Sequence, residues 1–131
     1  MTQFKNGDEY IMEVTFTEDM VNQFSILSGD NNPIHMDDNK VDIKYHKKRI
    51  VHGMLIGAFF SNIIGTKLPG FGTVYISQNF DFIKPVYVGE TVMIIVRIKR
   101  IIMNFAILET QCFDMKKELL VNGIAKVMIP I

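Results

Sequence analysis

A single apolar segment from Gly53 to Leu68 limits the folds that this chain can adopt. Its apolar residues recur on nearly every side of a helix: Met54, Leu55, Ile56, Ala58, Phe59, Phe60, Ile63 and Ile64. A helix of this kind is buried on most sides. Leu68-Pro69-Gly70 then supplies strong helix breakers. The apolar run is shorter than the stretch of about 20 residues that spans a membrane, so the rest of the chain is expected to cover it.

The chain after this helix has the pattern of β-strands. Apolar and polar residues alternate over Val74 to Phe82. Three longer strand patterns follow in succession: Thr91 to Ile102, Phe105 to Asp114, and Leu119 to Ile129. Short turn segments join them, which is typical of antiparallel neighbours. An antiparallel sheet with one long apolar helix, and without alternation of strands and helices, predicts an α+β fold.

The chain before the central helix predicts one more strand and a shorter helix. Tyr10 to Phe16 alternates as a strand does, and Thr17 then has the side chain of a helix N-cap. The helix is expected to run from about Glu18 to Ser28, because Gly29 suits the position after a helix end. Its buried face is predicted from four apolar residues: Met20, Val21, Phe24 and Leu27. A second short helix is predicted after Met36-Asp37-Asp38, ending near Tyr45.

Residues that can move a proton lie between the predicted helix Glu18 to Ser28 and the start of the central helix. Asp30 follows a predicted helix C-terminus, where a carboxylate is unfavourable by about 0.3–1 kcal/mol. A residue that breaks a local rule is a functional candidate, although Asp also commonly bonds its own turn backbone. His35 follows after Asn32-Pro33, and His52-Gly53 opens the central helix. An acid, an imidazole and a helix N-terminus are the groups needed for proton transfer next to a carbonyl.

Small residues form a stripe along the central helix. Gly53, Gly57, Ser61 and Gly65 recur at intervals of four and therefore share one face. Glycine in a helix costs about 1 kcal/mol relative to alanine, so close approach of another group is expected there. The approaching group is either the sheet or a partner helix, or a ligand that runs along the stripe.

Three segments of the chain resemble the MaoC-like hydratases, the (R)-specific enoyl-CoA hydratase branch of the hot-dog fold. They are Gly29-Asp30-x-Asn32-Pro33-x-His35, Ile50-Val51-His52-Gly53-Met54, and Lys84-Pro85-Val86-x-Val88-Gly89-Glu90. The first two together are specific, whereas the third is common among hot-dog proteins. The resemblance extends from about Phe4 to the C-terminus. It implies one hot-dog domain over residues 1–131, with a curved antiparallel sheet wrapped around the central helix.

The resemblance also implies an activity and its catalytic residues. Asp30 would be the general base, and His35 would accept or return a proton. The pair would hold one water, which adds to one face of a trans-2-enoyl-CoA and yields the (3R)-3-hydroxyacyl-CoA of fatty acid metabolism. The backbone N–H of Gly53 would form the oxyanion hole. Ser61 would support this network, or would merely be a small residue of the stripe.

Further residues are expected to contact the substrate: Asn32, Pro33, His52, Met54 and Gly57. From its place at a helix start, His52 is also interpreted as a neutral, oriented structural histidine. A basic segment, Lys44, Lys47, Lys48 and Arg49, either meets the phosphates of CoA or of a carrier protein or is a solvated loop. Asn39 to Lys48 is more charged than is usual in the family, which leaves substrate contacts near this loop open.

Composition argues against several other classes of protein. The formal net charge is zero, so neither nucleic acid nor an anionic membrane is an expected partner. The N-terminus lacks the apolar segment of a signal peptide, which favours a cytoplasmic protein. Cys112 is the single cysteine and is expected to be a buried thiol. The spacing of His35, Asp37, His46 and His52 fits no helical His-x-x-x-His pattern, so no metal or cofactor is expected.

Two other functions remain open at this point. A hot-dog acyl-CoA thioesterase would direct the activated water to the thioester carbonyl. A non-catalytic acyl-CoA-binding hot-dog protein would need the Asp30–His35 pair to be disabled, yet both residues are present. The chain holds one hot-dog unit and the family builds its substrate tunnel between two, so the resemblance implies a homodimer. The acyl carrier, CoA or acyl carrier protein, is likewise open.

Overall fold

The computed structural model describes residues 3–37 and 48–130. The helices of this part are α1 (Glu18–Ser28), α2 (Pro33–Met36) and α3 (Gly53–Thr66). The strands are β1 (Glu9–Thr15), β2 (Val74–Gln78), β3 (Asp81–Phe82), β4 (Thr91–Ile102), β5 (Phe105–Asp114) and β6 (Leu119–Met128). No helix in the described ranges has both the length and the apolar character that crossing a membrane requires.

The six strands form one antiparallel sheet that does not close on itself. Its order is β1-β4-β5-β6-β2, and β3 pairs with β6 beyond the end of β2. Every second residue in the first two thirds of β4 is completely buried: Val92, Ile94, Val96 and Ile98. Strand alternation of this kind places one face of the sheet against the core. The predicted α+β class and the antiparallel sheet around one long helix are confirmed.

The central helix α3 lies against β4 and supplies much of the core. Its buried apolar side chains are Leu55, Ile56, Phe60, Ile63 and Ile64. The opposite side of the helix is open in the single chain, since Met54 is 62% exposed and Ala58 and Ser61 are exposed. The predicted burial on most sides thus does not extend to this side of α3 in the single chain, and the helix ends at Thr66 instead of Leu68.

The limits of α1 agree with the sequence signals. Thr17 Oγ1 accepts the N–H of Met20 at 3.2 Å. Gly29 adopts a φ of 80°, and its N–H donates to the carbonyl of Ser25. The predicted buried face is wrong at Leu27, which is 85% exposed. Ser25 is buried in its place, because its hydroxyl finds a hydrogen-bond partner inside the protein.

Two predicted elements differ from the structure. The strand expected over Val74 to Phe82 divides into β2 and β3. At the break, the Asn79 N–H donates to the Ile124 carbonyl, but the Ile124 N–H donates to the side-chain oxygen of Asn79 instead of to its main-chain carbonyl. The helix expected after Asp38 lies outside the described residues. A single helical turn, α2, forms earlier, where Asn32 caps it and Pro33 is its first residue.

Candidate active site

A cavity of about 370 Å³ opens at the N-terminal end of α3. Its polar side chains are those of Asp30, His35, His52 and Lys84, and most of the rest of its lining is apolar. Ile56 and Val121, both buried, form part of the apolar wall. An apolar cavity with a few convergent polar groups is the usual form of a small-molecule site. The structure thus brings Asp30, His35 and Gly53 together, as the sequence motifs predicted.

Asp30 lies in the exposed turn between α1 and α2. Its Oδ1 accepts the N–H of Asn32 at 3.3 Å, and its own N–H donates to Ser28 Oγ at 3.1 Å. The carbonyl oxygen of Asp30 accepts two further hydrogen bonds, from Ser25 Oγ and His52 Nε2. The main chain of the turn is therefore firmly held, while the carboxylate keeps the capacity to accept other donors.

Asn32 and Pro33 shape the turn that carries His35. The side-chain oxygen of Asn32 accepts the N–H of Ile34, and a ψ of 129° at Asn32 is the extended geometry that precedes a proline. Pro33 suits the first helical position because its φ is already helical. Both residues thus position His35; neither is among the residues that line the cavity, and the substrate contact expected of them stays a prediction.

His35 is held in one tautomer, and its Nε2 has no hydrogen-bond partner among the residues that the structure describes. Its side chain is 7% exposed, and Nδ1 lies 2.8 Å from the carbonyl oxygen of Ile50. Because a carbonyl only accepts, Nδ1 carries the proton and Nε2 carries a lone pair. Burial is the main cause that lowers the pKa of His35, and the nearby His52 lowers the pKa further. The hydrogen bond with Ile50 and the charge of Asp30 raise the pKa, but the net shift is downward. His35 is therefore neutral at neutral pH and acts as an acceptor.

His52 and Gly53 form the start of α3. The carbonyl of His52 accepts the N–H groups of Leu55 and Ile56, which leaves those of Gly53 and Met54 without an acceptor among the described main-chain bonds. A Cβ at Gly53 would lie 2.6 Å from the ring of Phe82. The missing side chain lets that ring approach and keeps the backbone open toward the cavity.

Arg49 does not reach toward a ligand, contrary to one interpretation of the basic segment. It is 8% exposed, and its Nε donates to the carbonyl of His35 at 2.7 Å. Its terminal nitrogens bond Glu18 and Asn22, both at 3.1 Å. Arg49 thus fastens α1 to the turn that carries His35, a role that the sequence did not reveal.

For the other basic residues of that segment, a contact with phosphates stays a prediction. Lys48 lines a separate cleft beside Lys84, Glu90 and Glu118, where acidic groups balance the lysines. Lys44, His46 and Lys47 lie outside the described residues.

Ser61 is not brought into the cavity. It lines a second, smaller apolar pocket together with Gly57 and Tyr75, and Met54 lines both pockets. The close approach predicted for the glycine stripe comes from the chain itself, since the Phe80 ring would meet a Cβ at Gly57 at 3.0 Å. Gly65 faces open space.

Asp30, His35 and His52 also form a cluster of metal-ligating types that the sequence analysis had not considered. One ligand atom of each lies within 4.8 Å of the others. His35 Nδ1 and His52 Nε2 are already bonded to carbonyl oxygens, and His52 Nδ1 is buried without a partner in the described part of the chain. One nitrogen of each ring is therefore protonated and cannot ligate an ion in this arrangement. The expectation of no metal stays a prediction.

The single cysteine takes no part in the site. Cys112 lies in β5 and is completely buried, and burial raises the pKa of its thiol to about 12. A thiol with such a pKa is protonated at neutral pH and is a poor nucleophile. The prediction of a buried thiol is confirmed.

Comparison with known proteins gives consistent matches over most of the chain. The family profile described as MaoC like domain matches residues 3–118. The (R)-specific enoyl-CoA hydratase of Rhodospirillum rubrum is 34% identical over 128 residues, which cover 96% of this chain and 88% of that protein. The mitochondrial 3-hydroxyacyl-[acyl-carrier-protein] dehydratase of Arabidopsis thaliana is 31% identical over 137 residues, covering 98% and 80%. Among solved structures, an (R)-hydratase from A. caviae involved in PHA biosynthesis has a TM-score of 0.94 at 32% identity, covering 99% and 100%.

Proposed function

The chain belongs to the MaoC-like domain family, and we propose that it is a hydro-lyase that reversibly hydrates trans-2-enoyl thioesters to (3R)-3-hydroxyacyl thioesters. The observation that carries this proposal is the meeting of Asp30, His35 and the N-terminus of α3 in one apolar cavity. Relatives in the family are named both as enoyl-CoA hydratases and as acyl-carrier-protein dehydratases. The substrate is therefore an acyl thioester, with CoA as the first carrier to test.

The catalytic pair is suited to hold one water. The Asp30 carboxylate and the unprotonated Nε2 of His35 are both hydrogen-bond acceptors. One water can therefore donate one O–H group to Asp30 and the other to His35. Its oxygen lone pair is then free to attack C3 of the enoyl group. Asp30, as general base, takes a proton from the water while the new C–O bond forms.

The proton that reaches C2 comes from the same water. His35 is neutral before the reaction, so neither member of the pair holds a spare proton to give. The proton removed from the water is returned to C2 on the face that the hydroxyl has entered. This gives syn addition, as the family resemblance implies, and it balances the reaction without a cofactor.

The start of α3 stabilises the charge that builds on the thioester oxygen. Gly53 lines the cavity and is the first residue of α3, so its N–H belongs to a helix N-terminus, where the helix dipole favours negative charge. A donor placed for the enolate oxygen acts in the transition state more than in the ground state. We therefore assign Gly53 as the oxyanion donor and leave Ser61 without a part in this step.

A direct assay with crotonyl-CoA tests the proposal. We expect loss of the enoyl absorbance without release of thiol, and a product that an (R)-specific 3-hydroxyacyl-CoA dehydrogenase oxidises. Release of thiol would indicate a thioesterase instead, and binding without turnover would indicate a non-catalytic acyl-CoA-binding protein. Parallel assays with crotonyl groups on CoA and on acyl carrier protein then identify the preferred carrier.

We further propose that the enzyme is a homodimer. The outer side of α3 and the edge strand β2 leave apolar side chains uncovered, with Met54 62% exposed, Val74 56% exposed and Ile76 47% exposed. Uncovered strand edges and apolar patches are usually paired or buried in an assembly. A second copy that covers this surface would also enclose the pocket around Ser61.

A cytoplasmic location of the enzyme remains a prediction.

Substitution at the two edges of the sheet tests this dimer. Ile76→Lys on β2 is expected to give a monomer in light scattering at micromolar concentration, because it buries an unpaired charge in the interface. Ile11→Lys is the matched control, since Ile11 lies on the opposite edge strand β1 and is also 47% exposed. The control is expected to stay dimeric. A wild-type protein that is active as a monomer would refute the dimer, and loss of the dimer in Ile11→Lys alone would place the interface at β1.

A further inference from the structure

Two buried side chains from different helices hold a single oxygen atom beside the proposed base. Ser25 Oγ, on α1, donates to the carbonyl oxygen of Asp30 at 2.6 Å. His52 Nε2, at the start of α3, donates to the same oxygen at 2.9 Å. Ser25 is 5% exposed and His52 is 2% exposed. Because a carbonyl oxygen has two lone pairs, its capacity is filled by these two donors.

Neither side chain has the local role that its position suggests. A serine inside a helix usually bonds the carbonyl four residues before it, as Ser28 does with Phe24 at 2.7 Å. Ser25 instead donates forward, to a residue beyond the end of its helix. His52 occupies the N-cap position of α3, yet its side chain makes no capping hydrogen bond. The hydrogen bonds of both residues are therefore directed to the turn of Asp30.

His52 connects all three elements of the proposed mechanism. Its Nε2 bonds the main chain of Asp30, and its ring stacks on His35 with a centroid distance of 3.9 Å and an angle of 26°. Its backbone precedes Gly53 directly. The base, the second proton acceptor and the oxyanion donor are thus fixed relative to one another through one imidazole.

The carboxylate of Asp30 depends on this support. Asp30 is in an exposed turn, and its side chain accepts one long hydrogen bond of 3.3 Å from Asn32. Exposed turns with few buried contacts are the segments that open most readily. A misplacement of about 1 Å in a catalytic group costs about 10²-fold in rate, so the anchoring of the main chain controls the chemistry.

We propose that Ser25 and His52 are positioning residues that set the carboxylate of Asp30 against His35 and Gly53 by clamping the Asp30 carbonyl. This inference rests on the proposed hydratase function. His52 also lines the cavity, and the substrate contact expected of it stays a prediction beside this positioning role. No role was predicted for Ser25 from the sequence, in which it is only a polar residue on the apolar face of α1.

Ser25→Ala tests the first half of the clamp. We expect kcat for crotonyl-CoA to fall about 10-fold while KM changes less than about 2-fold, because the lost hydroxyl places Asp30 and touches no substrate. Thr66→Ala is the matched control. It removes a hydroxyl that donates 2.7 Å to the carbonyl of Asn62 at the far end of α3, and kcat should be unchanged.

Paired substitutions of His52 test the second half. His52→Leu removes the donor, and we expect kcat to fall about 10²-fold. His52→Gln keeps an N–H donor near the position of Nε2 and should recover most of that loss. A purely structural role would not give rescue in kcat at equal thermal stability, which is measured by circular dichroism. A role in substrate binding would instead raise KM in both variants.

The double variant Ser25→Ala/His52→Leu completes the test. Its kcat should be lower than that of the worse single variant by less than about 3-fold, since residues that act as one unit are not additive. If His52→Leu does not fold, Ser25→Ala and His52→Gln decide the question. Wild-type activity is measured first: an inactive wild type refutes the proposed function, whereas an active wild type with unchanged kcat in Ser25→Ala and His52→Leu overturns the clamp alone.

Discussion

Asp30→Asn is expected to lower kcat for crotonyl-CoA by about 10²–10⁴, the usual contribution of general acid–base catalysis. The amide cannot take a proton from water, but its oxygen can still accept the N–H of Asn32 that the carboxylate accepts at 3.3 Å. The clamp on the Asp30 carbonyl does not involve the side chain. The thermal unfolding midpoint should therefore change little, and the loss should appear in kcat rather than in KM. Retention of more than about half of the activity would refute Asp30 as the base.

His35 needs a gentler substitution than the sequence alone suggested. A position in a loop predicts that His35→Ala leaves the fold nearly unchanged, but His35 is buried, bonds Ile50 and stacks on His52, so we now expect this variant to lose stability. His35→Asn keeps a donor near Nδ1 for the Ile50 carbonyl and removes Nε2. Combined with Asp30→Asn, it should lower kcat little beyond the worse single variant, because both residues handle one water.

Local signals were enough to locate α1 and the proposed base. Thr17 and Gly29 are recognisable caps whose partners lie within four residues, so both ends of α1 follow from the sequence. Asp30 stands out because a carboxylate follows a helix end. His35 and Gly53 came from motifs that the family resemblance supplied, and the cavity unites them as expected.

Long-range partners left no comparable signal in the sequence. Arg49 reads as one more charge of a basic segment, whereas its hydrogen bonds reach 31 positions back to Glu18 and bury the guanidinium. A charge is buried when several acceptors surround it, and a pattern of residue types does not list those acceptors. The same limit applies to Ser25, whose partner is a main-chain oxygen.

The open side of α3 shows a second limit of sequence patterns. Apolar residues on nearly every side predict burial, yet Met54 and Ala58 are exposed in the single chain. A pattern indicates that a side chain is covered, without saying which copy of the chain covers it. The mismatch is the reason that we place the proposed dimer interface on this side of α3 and on β2.

Gly53→Pro is expected to lower kcat by about 10²–10³ in a protein that still folds, because it deletes the one proposed oxyanion donor. Gly53 is the first residue of α3, where proline is well tolerated. His52 has a φ of −56° and a ψ of 130°, which is the geometry that a following proline requires. The change therefore removes the N–H with little cost to the start of the helix. Turnover of crotonyl-CoA and thermal unfolding measure the two effects separately.

Gly53→Ala is the control for crowding. Alanine and proline both add a Cβ, which would lie 2.6 Å from the Phe82 ring, and that ring must shift in either variant. Phe82 is 51% exposed, so its ring has solvent to move into. Repeating both variants with Phe82→Leu reduces the crowding further. If the proline variant binds substrate and turns over as fast as the alanine variant, the enolate oxygen is held by another donor and the role assigned to Gly53 is wrong.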